Sequence, residues 1–218
     1  MPTKASPTAR RMPRYARKQA PVRREQLIEA AIRCLGEGGM SAFTIDRICR
    51  EAAVSRGLIN HHFGSKDELL ACVYETMTDY LVQSPKAALE RADLSPSDRL
   101  RGMIEATFAE DTFDKSKLRV WLALWGQVST NQRLHAIHQA RYRQYRARLA
   151  TAIEQVASDR KRDVDANRLA TTLIALIGGL WLEWCLAPNL LTHGDAKIAC
   201  YNLIEPCVGS ICQLSDGD

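Results

Sequence analysis

The chain has no CxxC pair. Its seven cysteines (34, 49, 72, 185, 200, 207 and 212) are odd in number and scattered through 218 residues, which argues against a disulfide framework or a zinc ribbon. Several fall on apolar helical faces, where a thiol serves as a small core residue in a reducing cytoplasm. A nucleophile elbow, a Gly-rich phosphate loop and a paired-carboxylate motif are also missing. The sequence therefore signals no enzyme and no cofactor, and only Cys/His pairs brought together by folding leave that reading open. His135 and His138 lie three apart but lack a third ligand at supporting spacing; they read as exposed, and no metal is expected. No apolar stretch follows the N-terminus as a secretory signal would require. The longest apolar run, Leu169 to Leu182, ends at Glu183 and reads as too short to span a membrane. Strand-like alternation is absent too, and what remains is helical: an all-α protein.

The net charge of +5 is unevenly placed. Residues 1–24 hold eight basic residues and no acid, so the remainder carries −3. A basic end on a mildly acidic body favours a polyanion bound at that end. Residues 1–21 read as a disordered arm that lies on phosphates or reaches into a minor groove. Val22 to Glu37 follows as an amphipathic helix closed by Gly38-Gly39.

Thr44 to Leu70 organises the rest. Thr44 caps a short helix with Ile45, Ile48 and Ala52 inward. Ala52-Ala53-Val54-Ser55 is a tight corner, and Ser55 opens a second helix with Ile59 and Phe63 inward. That leaves Arg56, Gly57, Leu58, Asn60 and His61 facing out. Gly64 stops the helix, and Ser65-Lys66-Asp67-Glu68 is a capping box for the next one. Exposing Arg, Asn and His on so short a helix suits entry into a major groove, although a plain helical corner has the same spacing.

The order Thr44-Ile45-x-x-Ile48, Ala52-x-Val54-Ser55-x-Gly57, His61-x-Phe63, Ser65-Lys66-x-x-Leu69-Leu70 resembles the DNA-binding domain of TetR-type repressors over about residues 22–82. The resemblance implies a helix-turn-helix domain at 22–64 and a ligand-binding and dimerisation domain at 65–218, linked by the helix starting at Ser65. It also implies DNA contacts from Thr44, Ser55, Arg56, Gly57, Leu58, Asn60, His61, His62 and Lys66. Two departures stand out: the family's turn glycine is Ala53 here, and its recognition-helix tyrosine is Asn60 or His62.

The second half reads as helices throughout. Leu69, Leu70, Val73, Met77, Tyr80 and Leu81 form the seam of the linking helix, which Pro85 should end or interrupt. Later helices are capped at Ser95, Asp165 and Asp195, and Pro206 should kink or end the last. The helix of 165–187 is apolar nearly all round, so it must be covered on more than one side; a symmetric homodimer does this and lets two reading helices meet a palindrome.

Trp121 with Trp125, and Trp181 with Trp184, each fall on one helical face. They are either packing residues or a cage for a cation. The runs Trp121-Leu122-Ala123-Leu124-Trp125 and Ala175-Leu176-Ile177-Gly178-Gly179-Leu180-Trp181-Leu182 resemble those of BetI-type regulators, the choline-responsive TetR-type repressors of glycine-betaine synthesis. On that resemblance the effector is choline or a related quaternary amine, held by Trp121, Trp125, Trp181 and Tyr142 with Glu110, Asp111 or Glu183 as counter-charge. A repressor of efflux or catabolism with another ligand, or an architectural DNA-binding protein with none, are the alternatives. If the basic arm meets phosphates, deleting residues 1–20 should lower the log–log salt slope of DNA binding by about 0.9 for each phosphate that the arm neutralises. An unchanged slope in a salt titration would make the arm a passive tail.

Overall fold

A computed structural model describes the backbone of residues 14–89, 91, 93–110 and 114–212, with side chains placed over the same span except 14–20 and 82–89. The described residues are helical and contain no strand. The helices are α1 (Arg14–Ala42), α2 (Ile45–Glu51), α3 (Arg56–Phe63), α4 (Lys66–Leu89), α5 (Pro96–Thr107), α6 (Lys115–Val128), α7 (Gln132–Asp159), α8 (Ala166–Leu186) and α9 (His193–Val208).

Caps set most of the boundaries. The hydroxyl of Thr44 accepts from the Arg47 N–H, that of Ser65 from the Glu68 N–H, and the carboxylate of Asp165 from the Arg168 N–H. Each satisfies a first-turn donor that has no partner within its helix. Ser95 does the same for α5, with Pro96 at the first helical position, where its missing N–H costs nothing. Asn131 caps α7 and Asp114 caps α6.

Three boundaries depart from the sequence reading. Helix α1 begins at Arg14, so the helix reaches back into the segment expected to be a disordered arm; residues 1–13 lie outside the described residues. Gly38 and Gly39 still break α1 where expected, Gly39 with φ of +61°. Helix α4 runs through Pro85 to Leu89 instead of ending there. The last helix is capped by Thr192, not Asp195, which sits at the third helical position and closes a reciprocal capping box.

One core runs the length of the molecule. Leu27, Ala31, Leu35, Phe43, Ile48 and Ile59 bury the inner faces of α1–α3, and Leu69 and Val73 continue that core into α4. Farther along, Leu100, Ile104, Leu118, Leu124, Leu149, Ile153, Leu173 and Ile204 join the remaining helices. Tyr80 does not belong to it: at 64 % exposure it faces out, and Tyr74 takes the inward place at 1 %. Polar links also tie α4 to α7. Glu68 meets Arg133 at 3.6 Å, Tyr74 meets His138 at 2.7 Å and Asp79 meets Arg141 at 3.1 Å. The order is the same on both helices, so they run in the same direction.

Helix α8 is longer than the apolar run suggested. It spans 21 residues and is long and apolar enough to cross a membrane by length and composition alone. It instead packs on α6, α7 and α9, yet only 22 % of its apolar stretch is buried within the chain.

Ala53, in the corner between α2 and α3, adopts φ of +52°, where a Cβ is unfavourable. Ala53→Gly should stabilise the fold by about 0.5–1 kcal/mol, the strain relieved minus the freedom that glycine adds to the unfolded chain. Urea unfolding with an unchanged m-value measures it, and a loss of stability would show that the corner is unstrained.

Candidate nucleic-acid interface and ligand cavity

The short helix α3 is held by Ile59 and Phe63, which are buried at 0 % and 8 % exposure, and by Gly64 at its end with φ of +74°. Thr44, Ser55, Arg56, Gly57, Asn60, His61 and Lys66 are exposed around it. Arg56 Nη2 lies 2.5 Å from Asp46 Oδ1, so the guanidinium is steered by the first turn of α2 rather than swinging free. A pair this exposed adds little stability and serves to orient. Lys66 leans over the Phe43 ring with Nζ 5.6 Å from the centroid. Ser55 occupies the cap position of α3 without the capping bond from its side chain that the sequence suggests.

Two residues read as DNA-facing turn otherwise. Leu58 packs partly against the core. His62 lies half-buried beside Phe63, and that burial, then the charges of His61 and Arg24, lower its pKa. Arg24 sends Nη2 to Cys72 Sγ at 2.8 Å and sits over the Phe63 ring at 5.2 Å. Arg24, itself exposed on α1 beside Arg23, therefore braces α3 and α4.

A cavity of about 250 Å³ opens between α4, α6, α7 and α8. Trp121 and Trp125 enter it from α6, Tyr142 and Tyr145 from α7, Trp181 from α8 and Tyr74 from α4. Trp121 and Trp125 lie 5.7 Å apart at 34°, and Tyr74 meets Trp121 edge-on at 5.9 Å. Thr78, Leu81, Thr107, Ile174, Ala175, Ile177 and Gly178 complete an almost wholly apolar wall with His138 and Arg141. Burial pushes the Tyr74 phenol up to about 12 and, with the nearby charge of His135, holds His138 below its usual range. Both groups are therefore uncharged at neutral pH. At this size the cavity suits a ligand smaller than the drug-sized compounds that fill roughly 300–1,000 Å³.

Trp121, Trp125, Trp181 and Tyr142, separate in the sequence, thus share one wall. The carboxylates do not join them. Glu110 and Glu183 are exposed and line no part of the cavity, and Asp111 lies outside the described residues. Trp184 does not line the cavity beside Trp181; its ring lies 5.9 Å from that of His193 of α9. His138, expected to be exposed, faces the cavity. Tyr74, His138 and Arg141 are lining residues that sequence reasoning misses. Spacing holds a partial signal for them: His138, Arg141, Tyr142 and Tyr145 fall three to four apart along α7, the interval of a shared face.

Comparison with known proteins agrees with this architecture. Residues 96–208 match the family described as BetI-type transcriptional repressor, C-terminal, and residues 27–73 match bacterial regulatory proteins of the tetR family. The HTH-type transcriptional regulator BetI of Serratia proteamaculans (strain 568) is 32 % identical over 177 residues, covering 81 % of this chain and 87 % of that protein. BetI 2 of Chromohalobacter salexigens is 32 % identical over 188 residues, covering 85 % and 88 %. Among solved structures, a transcriptional regulator from Pseudomonas aeruginosa PAO1 is 34 % identical with a TM-score of 0.79, over 88 % of this chain and 93 % of that one. A regulator from Saccharomonospora viridis, solved in complex with choline, has a TM-score of 0.75 at 22 % identity, over 85 % and 96 %, a likeness of fold. With a helix-turn-helix head, a helical second domain and a C-terminal match that alone spans over half its length, the chain belongs to the tetR family of bacterial regulatory proteins, among the BetI-type transcriptional repressors.

Proposed function

We propose that the protein is a cytoplasmic repressor that binds a palindromic operator as a homodimer and responds to a small quaternary amine, choline or a close relative, in the cavity described above. The observation that carries the reading is the cavity wall. Six aromatic side chains converge on about 250 Å³ in which the wall, among the described residues, includes no carboxylate. A quaternary ammonium cannot lose its charge by deprotonation and donates no N–H bond, so aromatic faces are the chemistry that replaces its water. The regulators named BetI at 32 % identity support control of glycine-betaine synthesis genes, and the S. viridis regulator, alike in fold, was solved with choline bound.

A second copy is the natural cover for the apolar face left on α8, α9 and the turn between them, where Leu182, Leu186, Leu190 and Ile198 are 42–79 % exposed. Two copies related by a dyad present two α3 helices to successive major grooves. The link from cavity to head is physical: α4 places Tyr74, Thr78 and Leu81 in the wall and its first turn beside α3. An effector that prefers one setting of α4 then shifts the separation of the two heads, and the shift is bounded by its differential affinity for the two settings.

Arg56→Ala should weaken operator binding by roughly 1–3 kcal/mol if its guanidinium reads a base edge, with a smaller loss on random DNA. Equal losses in a gel-shift series on both DNAs would reduce Arg56 to a phosphate contact. Choline should change the tryptophan fluorescence, and Trp125→Ala should remove that response while operator binding persists. A persisting response in the variant would place the ligand elsewhere.

A further inference from the structure

We propose that Asp46, on the helix before the reading helix, is a positioning residue that sets DNA specificity. It holds the Arg56 guanidinium for a guanine edge and offsets its charge, so the first turn of α3 reads a base instead of gripping a phosphate. The proposal rests on α3 entering a major groove and names what is read there.

Among the described residues, three carboxylate–arginine pairs brace the head, and they do different things. Glu51 with Arg33 and Glu37 with Arg47 join α2 to α1. Asp46 with Arg56 joins α2 to α3, Oδ1 to Nη2 at 2.5 Å. Arg56 opens α3, and the N-terminal residues of such a helix are the ones that meet base edges. Its side chain is still 73 % exposed, so the carboxylate orients the guanidinium without covering it. A guanidinium carries five N–H donors in a planar fork. Asp46 meets it at Nη2, which leaves donors for guanine O6 and N7.

Charge separates base reading from phosphate binding. Sequence-independent affinity comes from cations that displace counterions from phosphates. Arg56 with Asp46 beside it brings no net charge to that task. Arg23, Arg50 and Lys66 are exposed and enter no ion pair among the described residues, so they suit it better. Base edges are uncharged and reward oriented donors instead. The residue after Arg56 leaves room for the approach. Gly57 is exposed, is not in the left-handed region, and a Cβ on it would meet nothing within 4 Å. Neither the backbone nor packing within the chain asks for a glycine there, and glycine weakens a helix. A bare first turn lets the guanidinium beside it come close to a base.

Selection from a random-sequence duplex pool with the unaltered full chain supplies the probe. It should enrich a palindrome with a guanine fixed in each half-site. Affinities are then measured for that palindrome and for a scrambled duplex of the same length. Asp46→Asn should bind the scrambled duplex at least as tightly, yet lose about fivefold or more in the palindrome-to-scrambled ratio, the lower end of what a bidentate base contact is worth. Selection repeated with Asp46→Asn should no longer fix that guanine. Arg56→Ala should lower the ratio too, and adding Asp46→Asn to it should change the ratio no further. If the Asn protein does not fold, Asp46→Ser, also at home in a first turn, takes its place. Equal gains on both duplexes would make Asp46 a plain repulsive charge, and equal losses a structural residue. Either result overturns the proposal, while base reading by Arg56 is judged separately from Arg56→Ala. A further fall in the Arg56→Ala background overturns the coupling of the two residues. A pool that yields no enriched sequence overturns major-groove reading, and the proposal with it.

Discussion

Close packing of α1 on α6 is the most extensive contact between the two halves of the molecule. Gly36 approaches α6 so nearly that a Cβ on it would fall 2.2 Å from the Ser116 hydroxyl. The opposite face of the same helix sends Trp121 and Trp125 into the cavity. Helix α6 is therefore a single layer between the cavity and the long helix of the head. Interiors packed to crystal density transmit displacement instead of absorbing it. The linking helix α4 gives a second route, so the head is held from two sides of the cavity wall.

That arrangement explains why the cavity is aromatic on nearly every side. Tyr74 belongs to α4, Trp121 and Trp125 to α6, Tyr142 and Tyr145 to α7, and Trp181 to α8. Large rigid rings with two side-chain torsions cannot fold away from a ligand as leucine or methionine can. A change in one ring's position is consequently passed to the helix that carries it.

Much of this is legible in the sequence, and the failures share one cause. Caps at Thr44, Ser65, Ser95 and Asp165 are local chemistry, decided within four residues, and the structure has them where the residues alone place them. The corner at Ala53 is equally local. Which face of a helix turns inward is decided by neighbours far away in the chain. On α4 both Tyr74 and Tyr80 fit an apolar stripe, and only the position of α6 and α7 selects Tyr74. On α7 a helix crowded with arginines looks solvated, yet Arg141 and His138 face the cavity. The carboxylates are near in sequence to the right helices but outside the wall: Glu110 lies in the turn after α5, and Glu183 is on the exposed side of α8. Trp184 shows the same limit: three residues from Trp181, it is drawn to His193 on the next helix.

The three polar links between α4 and α7 work together as a vernier. Their spacing differs on the two helices: Glu68, Tyr74 and Asp79 on one, Arg133, His138 and Arg141 on the other. Sliding α7 by one turn, four residues, would set Glu68 against Ile137 in one direction and Asp79 against Ile137 in the other. No shifted register restores the set, so the helices have one seating along their length. The arm from the cavity to the head is thus keyed to α7 in a single register, from Glu68 in its first turn to Asp79 at the level of Arg141.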